Sequence, residues 1–281
     1  NLKSDLLRGI YGYGFEKPSL IQQKAILPII QGRDVIAQAQ SGTGKTAAFA
    51  IGTLQLVEEN KDEIQCLILS PTRELAHQTS IVYQFLGEYL KVKVTLLIGG
   101  TKLGADIDKL KEGPQVLVGS PGRVKDLIKR KKVTLSYLNS FVLDEADEML
   151  SKGFLEDIRE IISIIPTTAK ILLFSATMTK EVVEMTTKFM KDPAKILVKN
   201  EELTLEGIKQ YYVYLKKEDK LDILFQIYRG IEIAQAIIYC NTKKTGLLYR
   251  HLKDNKRKPE GKQKNEFRKH ISDFSKCTNI Q

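Results

Sequence analysis

The stretch AQSGTGKT, residues 39–46, lies between a short apolar run and an Ala-rich segment of helical character. Its small residues let successive backbone N–H groups converge on an anionic oxygen, and the following helix adds the positive end of its dipole. Lys45 can then reach the outer phosphates of a nucleotide, and the Thr46 hydroxyl can bind Mg²⁺. The alternative is a flexible strand-to-helix turn with an incidental lysine. The predicted phosphate loop consists of Ala39, Gln40, Ser41, Gly42, Thr43, Gly44, Lys45 and Thr46.

The sequence around this loop predicts an α/β fold, a doubly wound parallel sheet with helices on both faces. Short β-branched runs alternate with longer amphipathic stretches, and nearly all of the runs are apolar on both faces, as buried parallel strands are. The predicted strands are 34–37, 65–70, 93–98, 115–119, 140–143, 170–174 and 194–199. The predicted helices between them include 74–90, 122–129, 156–165 and 180–190. Chemically suggestive residues follow the strands, where open α/β sheets bind ligands.

The chain is predicted to divide into two domains. Residues 1–199 form the first, and the polar, turn-rich segment 200–207 is the predicted linker. Beyond it, a strand at 208–215, a helix at 217–229, a strand at 236–240 and a helix at 245–252 begin a second unit of the same kind. Residues 208–281 are too few to complete a doubly wound domain, so this second domain is predicted to be partial.

Composition limits the class of protein. No apolar run approaches the ~18 residues of a membrane span, and no secretory signal begins the chain, so we expect a soluble, intracellular protein without membrane contact. The three cysteines are far apart, which favours reduced thiols over a disulfide framework or a zinc site. The net charge of +10 favours a polyanionic partner. The basic segment 253–264 is either a binding patch or a solvated loop.

The segment VLDEAD, residues 142–147, ends a predicted buried strand in adjacent carboxylates. In an enzyme with a phosphate loop, a carboxylate at such a strand end faces the Mg²⁺ held beside Lys45 and Thr46, so we assign Asp144 to the metal. Glu145 then becomes the base that orients or deprotonates the water attacking the γ-phosphate. Taken alone, the segment is also consistent with an acidic helix start.

These motifs together resemble those of DEAD-box RNA helicases. AQSGTGKT (39–46), PTRELA (71–76), Gly99-Gly100, SPGR (120–123), DEAD (144–147) and SAT (175–177) occur in the family's order. The resemblance implies two RecA-like domains, ATP and Mg²⁺ as cofactors, and single-stranded RNA as partner. It further implies that ATP binding and hydrolysis drive local duplex unwinding or remodelling of RNA–protein complexes.

Three segments look most like eukaryotic initiation factor four-A and its nuclear, splicing-linked relatives. They are GFEKPSLIQQKAI, LDEADEMLSKGF and LTLEGIKQYYV. This likeness implies a cytoplasmic monomer in translation initiation, with initiation-factor or RNP scaffold partners. The alternative is a nuclear, ATP-dependent RNA clamp in a splicing-linked RNP that rarely hydrolyses ATP.

The resemblance also assigns roles to residues outside the phosphate loop. Gln22 would hydrogen-bond the adenine edge and Phe15 would stack on the ring, although a buried glutamine and a core phenylalanine fit the same pattern. Ser175 and Thr177 would couple the nucleotide site to the second domain through hydrogen bonds to Asp147; a small-residue strand end is the alternative.

The implied RNA contacts carry backbone N–H groups, hydroxyls and guanidinium groups, which suit phosphate and sugar rather than bases. We therefore expect binding that is largely independent of sequence. The residues are Pro71, Thr72, Arg73, Gly99, Gly100, Ser120, Gly122, Arg123 and Thr242. Ser120 stands where the family usually has threonine.

The family's arginine-bearing motifs of the second domain have no match in this sequence. We therefore expect the chain to bind Mg·ATP but to turn it over slowly, since such an arginine is worth about 10³ to 10⁵ in rate.

Overall fold

A computed structural model describes residues 1–151, 153–197, 211–216, 219–230 and 234–240. Its centre is a parallel sheet of seven strands, which confirms the predicted α/β fold. The strands are β1 Val35–Gln38, β2 Cys66–Leu69, β3 Val94–Leu97, β4 Val116–Gly119, β5 Ser140–Leu143, β6 Lys170–Ser175 and β7 Ala194–Leu197. Their order across the sheet is β3-β4-β2-β5-β6-β1-β7. Each overlaps a predicted strand, with small differences in the bounds.

Nine helices accompany this sheet in the described part of the chain. They are α1 Ser4–Gly12, α2 Leu20–Ile30, α3 Lys45–Leu56, α4 Arg73–Leu86, α5 Leu103–Lys111, α6 Pro121–Lys129, α7 Ala146–Ser151, α8 Leu155–Ile162 and α9 Lys180–Phe189. The helices predicted at 74–90, 122–129, 156–165 and 180–190 correspond to α4, α6, α8 and α9. Local sequence begins several of them: Pro121 occupies the first turn of α6, and the Thr72 hydroxyl accepts a hydrogen bond from the backbone N–H of Leu75 at 3.2 Å.

Two hydrophobic clusters occupy the two faces of the sheet. Strand residues alternate between them: Cys66 and Ile68 join the cluster formed with α1 to α4, whereas Leu67 and Leu69 join the one formed with α5 to α9. All four of these side chains are fully buried. This period of two, with apolar residues on both faces, is why the strands read as continuous apolar runs in the sequence.

The chain divides into two compact units, Asn1–Glu206 and Gly207–Gln281. In the second unit, α10 Lys220–Gly230 confirms the predicted helix at 217–229. The predicted strand at 236–240 is wrong, and residues 211–215 of the other predicted strand form none either. A strand requires a hydrogen-bonded neighbour. Neither segment has one among the residues described, and Tyr214 and Tyr239 are about nine-tenths exposed.

Several predictions for the second half fall outside the described residues. These are the linker at 200–207, the helix at 245–252, the basic segment 253–264 and the RNA contact at Thr242.

The packing of α1 on α4 requires glycine at position 9. A Cβ built on Gly9 would overlap the backbone carbonyl of Leu86, which cannot move aside without displacing α4. We expect Gly9→Ala to lower the free energy of unfolding by about 1 to 3 kcal/mol in urea denaturation, the usual cost of overpacking. Gly12→Ala, in the same helix, is the matched control. Its Cβ would lie at an ordinary 3.9 Å from the ring of Tyr89, and equal stability of the two variants would contradict the account.

Candidate functional site

The phosphate loop connects β1 to α3 at the carboxyl edge of the sheet. Gly42 and Gly44 have positive φ values of 82° and 93°, which glycine adopts without strain. The loop is anchored at its start, where the backbone N–H of Ala39 donates to the carbonyl of Ser175 at 3.0 Å. Within it, the Thr43 hydroxyl donates to the Gln40 carbonyl at 2.8 Å. The strand, loop and helix thus follow the arrangement in which backbone N–H groups and a helix N-terminus bind phosphate.

Lys45 and Glu145 form an ion pair inside the site. The Lys45 Nζ lies 3.0 Å from Oε1 and 3.1 Å from Oε2 of Glu145, and their side chains are 5% and 18% exposed. Glu145 has a φ of 50°, a left-handed conformation that costs a non-glycine residue about 1 to 3 kcal/mol. Such strain at a strand end is typical of functional sites, and here it accompanies the contact of Glu145 with the loop lysine.

Asp144 follows β5 directly and is buried at 5% exposure. Its backbone N–H donates to the Leu69 carbonyl at 3.0 Å, so the position is fixed by the sheet. Burial raises the pKa of Asp144 to about 7, and the negative charge of Glu145 adds to that effect while Lys45 opposes it. A buried carboxyl with a raised pKa at a strand end is typical of groups that bind a cation or transfer a proton in catalysis.

The residues present fit a magnesium ion. Thr46 and Asp144 line the same cleft and offer a hydroxyl and a carboxylate, the hard oxygen ligands that Mg²⁺ prefers. Within the described ranges, no group of three or more His, Cys, Asp or Glu side chains could hold a metal alone. Mg²⁺ is ordinarily held by one or two protein oxygens together with substrate phosphates, so a two-residue donor set is sufficient.

Most of the predicted nucleotide and catalytic residues line one cleft of about 500 Å³, a volume typical of small-ligand sites, whereas Gln22, Ala39, Gln40 and Thr43 are not part of its lining. From the predicted set, its lining includes Phe15, Ser41, Gly42, Gly44, Lys45, Thr46, Asp144 and Glu145. Ala39, the first residue of the loop, is buried. The sequence did not indicate that α4 also lines the cleft, which it does through Leu75, Gln78, Thr79 and Val82. The sequence predicts these residues only as part of the amphipathic helix at 74–90.

The segment before α2 contacts the phosphate loop through Gln22. This side chain is 5% exposed. Its Oε1 accepts from the backbone N–H of Ser19 at 2.9 Å, and its Nε2 donates to the Gly44 carbonyl at 3.3 Å. A Cβ on Gly44 would lie only 2.6 Å from Gln22 Nε2, so this approach needs glycine. Gln22 therefore links the predicted adenine-reading segment to the phosphate loop.

Phe15 lines the cleft together with Tyr13, whose ring centroid is 4.8 Å away. Tyr13 also contacts Phe85 of α4 edge-on at 5.9 Å. The two rings at the cleft give it an aromatic wall, which can stack on a planar base.

The raised pKa of Asp144 predicts a pH-dependent stability for the protein without metal or nucleotide. A carboxyl with an ordinary pKa of 3.8 that titrates at about 7 when folded binds its proton more tightly in the folded state. Its contribution is therefore present at low pH and is lost as pH rises towards 7. Between pH 5 and pH 8 the wild type should lose about 3 kcal/mol more unfolding free energy than Asp144→Asn, measured in urea with a chelator present. Parallel pH profiles for the two proteins would contradict this assignment.

Asp147 connects the start of α7 to the segment after β6. Its Oδ2 accepts from the Thr177 backbone N–H at 2.9 Å and from the Thr177 hydroxyl at 2.7 Å. The Ser175 hydroxyl accepts from the backbone N–H of Asp147 at 3.3 Å. Burial by itself raises the pKa of Asp147, but hydrogen bonds led by that of Thr177 outweigh it and hold the pKa below its ordinary value. The three predicted coupling residues thus form one hydrogen-bonded unit.

The predicted RNA-contacting segments follow β2, β3 and β4, three adjacent strands. They therefore meet at one edge of the sheet, beside the nucleotide cleft. Arg73 is exposed and lies over the glycine pair, since a Cβ on Gly100 would be 2.7 Å from its Nη1. Gly100 has a φ of 92°, and Gly122 is exposed. Pro71 is buried, so its ring cannot contact a ligand in this conformation.

Arg123 differs from Arg73 because its guanidinium is already engaged. Its Nε lies 2.8 Å from Asp106 Oδ2, and its Nη2 donates to the Thr101 carbonyl at 2.8 Å. Neither Asp106 nor Thr101 was predicted as a site residue. An acidic residue in a polar helix such as α5 is expected on the solvated face, so the sequence did not indicate that Asp106 is buried against Arg123. The Ser120 backbone N–H donates to the Leu97 carbonyl at 3.1 Å, which fixes the start of α6 beside β3.

No helix in the described ranges is both long and apolar enough to cross a membrane.

Comparisons with known proteins give one consistent result. The family model for DEAD/DEAH box helicases matches residues 19–186. The chain is 55% identical over 245 residues to proteins named ATP-dependent RNA helicase eIF4A from Phaeosphaeria nodorum and Pyricularia oryzae. The match covers 87% of this chain and 62% of each relative, so the chain spans less than two thirds of their length.

Solved structures agree with the sequence comparison. S. cerevisiae Dbp5 bound to RNA and ADP BeF3 matches with a TM-score of 0.77 and 35% identity, over 95% of this chain and 70% of Dbp5. A DEAD box protein from Methanococcus jannaschii matches with a TM-score of 0.68 and 34% identity, over all of this chain and 77% of that one. On the family match, the shared motifs and this fold, the chain belongs to the DEAD/DEAH box helicase family.

Proposed function

We propose that this protein is an ATP-dependent RNA helicase that couples ATP binding and hydrolysis to local duplex unwinding or RNP remodelling. The observation that carries the proposal is the single cleft shared by Lys45, Thr46, Asp144 and Glu145, beside an edge that presents backbone and guanidinium groups. The family membership and the relatives named as ATP-dependent RNA helicases support it.

The ATP site follows from the side chains of the cleft. Lys45 exchanges its ion pair with Glu145 for the outer phosphates, which leaves the Glu145 carboxylate able to orient and deprotonate water. Thr46 and Asp144 would hold Mg²⁺, which when bound offsets negative charge on the phosphates. Phe15 stacks on the adenine and Gln22 reads its edge, so ATP is preferred over GTP.

The RNA site uses the loops after β2, β3 and β4. Their exposed backbone and Arg73 suit a sugar–phosphate chain, so binding is largely independent of sequence. Dbp5, similar in fold, is named as bound to RNA and ADP BeF3, and this supports a site that takes both ligands. Asp147, Ser175 and Thr177, at the adjoining strand ends, would couple the nucleotide site to the second domain.

We further propose a role in translation initiation, on the strength of the relatives named eIF4A. In this role the protein is a cytoplasmic monomer that works with initiation-factor or RNP scaffold proteins. The alternative is a nuclear, splicing-linked clamp that holds RNA with ATP and rarely hydrolyses it.

The test measures ATP hydrolysis by this chain with and without RNA, and in parallel the ATP-dependent retention of a labelled single-stranded RNA. Slow hydrolysis that RNA stimulates, together with ATP-dependent RNA binding, is the expected result. Stable retention of RNA without hydrolysis would favour the clamp. RNA binding that is the same with and without ATP would contradict both.

A further inference from the structure

A buried salt bridge joins three elements at the proposed RNA edge. Asp106 lies in the first turn of α5 and is 1% exposed, and Arg123 at the start of α6 is 14% exposed. The Arg123 Nε donates to Asp106 Oδ2 at 2.8 Å. Its Nη2 donates to the carbonyl of Thr101 at 2.8 Å and lies 3.2 Å from the Thr101 hydroxyl oxygen. That hydroxyl lies 3.0 Å from Asp106 Oδ2, which closes the network.

This network fixes the loop after β3 for a physical reason. A buried carboxylate is costly unless a cation and hydrogen bonds compensate for the lost water, and here Arg123 and Thr101 supply both. The planar guanidinium presents its donors in a rigid fork, so its two engaged nitrogens set the position of Thr101 relative to α5. Thr101 directly follows the glycine pair. The network therefore determines where Gly99 and Gly100 present their backbone.

Arg73 also lies beside this loop, but unlike that of Arg123 its guanidinium is not engaged by a carboxylate of the described residues. It is exposed, and its guanidinium has no hydrogen bond or ion pair within the part of the chain that the structure describes. Its guanidinium lies over the glycine pair, so close that Gly100 cannot carry a Cβ without meeting Nη1 at 2.7 Å. One arginine of this edge is thus free to bind an anion, whereas the other is neutralised by a buried carboxylate.

We propose that Arg123 and Asp106 are positioning residues that hold the loop 99–101 in its RNA-binding shape, and that Arg73 supplies the direct phosphate contact. The proposal gives different roles to two arginines that the sequence analysis assigns alike to the RNA site. It names Asp106 and Thr101 as parts of the RNA site that make no contact with RNA themselves. The inference rests on the proposed RNA binding.

Salt dependence separates the two roles. The probe is a fluorescein-labelled oligouridylate, titrated with the full chain, Mg²⁺ and a non-hydrolysable ATP analogue between about 50 and 200 mM salt. Each phosphate contact adds about 0.7 to the slope of log affinity against log salt for a single strand. Arg73→Gln should therefore reduce the slope by about 0.7. Arg123→Gln should weaken binding and leave the slope at its wild-type value; a slope reduced as in Arg73→Gln would overturn the proposal.

Arg123→Lys is the sharper variant because it keeps the charge and loses the fork. A direct phosphate contact would tolerate lysine, whereas the network would not. We expect Arg123→Lys and Asp106→Asn each to weaken RNA binding by about tenfold, the equivalent of one charge-assisted hydrogen bond. Wild-type affinity in Arg123→Lys would overturn the proposal. If Asp106→Asn does not fold, Thr101→Val takes its place; it removes the hydroxyl that contacts both Asp106 and the Ile98 carbonyl, and we expect weaker binding at an unchanged slope.

Hydrogen exchange of the RNA-free chain tests the loop independently of the proposed function. The backbone amides of residues 99–101 should exchange faster in Arg123→Lys than in wild type, and at the wild-type rate in Arg73→Gln. If the wild type does not bind the oligouridylate, the proposed RNA function fails, while exchange still decides the positioning role. Equal exchange in wild type and Arg123→Lys would overturn it.

Discussion

Lys45→Ala should lose most of its affinity for ATP. In the nucleotide-free protein, the Lys45 ammonium lies within 3.1 Å of both carboxylate oxygens of Glu145, at the N-terminus of α3 and almost without solvent contact. Its replacement by alanine removes the positive side chain of the phosphate loop and leaves Glu145 and Asp144 to repel the incoming phosphates. A charge-assisted contact is worth about 1.5 to 3 kcal/mol, so we expect the dissociation constant to rise about 10- to 150-fold.

Isothermal titration calorimetry with Mg·ATP measures this change. Lys188→Ala is the matched control, because Lys188 is an exposed lysine of α9, on the opposite face of the sheet. It should bind ATP as the wild type does. An affinity in Lys45→Ala within threefold of wild type would show that the loop does not hold the phosphates.

Glu145→Gln should separate ATP binding from ATP hydrolysis. The amide keeps the shape of the side chain but can neither accept a proton nor hold Lys45 in an ion pair. We expect hydrolysis under single-turnover conditions to fall by about 10² to 10⁴, the usual contribution of a general base. ATP affinity should stay the same or increase, because Lys45 no longer has to leave a carboxylate before it binds phosphate.

The control for this variant is Glu88→Gln, since Glu88 is exposed and follows α4 outside the cleft. Its hydrolysis rate should equal that of wild type. If Glu145→Gln hydrolyses ATP at the wild-type rate, then another group is the base, and the strained conformation of Glu145 has no part in the reaction.

The sheet was predictable from sequence because its strands are buried on both faces and interrupted by amphipathic helices. Two of the helices that the sequence did not predict show where this reasoning ends. In α2, Leu20 and Leu27 are exposed apolar residues, so the helix has no clean polar face. In α5, the charged residue Asp106 is buried, whereas the amphipathic pattern predicts charged residues on the exposed face of a helix. Both features arise from tertiary packing, which periodicity cannot register.

The second unit shows the opposite error. The alternating residues at 211–215 and the apolar run at 236–240 have high strand propensity, yet neither pairs in the described part of that unit. Strand propensity reports how a side chain fits a pleated, half-buried surface rather than a preference of the backbone alone. The prediction therefore depends on a neighbouring strand that local sequence does not supply.

The grouping of residues in the candidate nucleotide site was largely predictable because they lie in contiguous motifs at strand ends, which a parallel sheet brings to one edge. The hydrogen-bond and ion-pair partners of the individual side chains were not predictable. The sequence gives Arg73 and Arg123 the same expected role, and only the structure shows that Asp106 and Thr101 occupy one of them. The ion pair of Lys45 with Glu145 joins positions a hundred residues apart and likewise has no local signal.

The most direct test of the account is a crystal structure of this chain with Mn²⁺ in place of Mg²⁺ and a non-hydrolysable ATP analogue. The account predicts an anomalous peak for Mn²⁺ at the Thr46 hydroxyl and the Asp144 carboxylate, with Lys45 on the outer phosphates and Glu145 facing the terminal one. A triphosphate bound elsewhere, or a metal peak remote from Thr46 and Asp144, would contradict it.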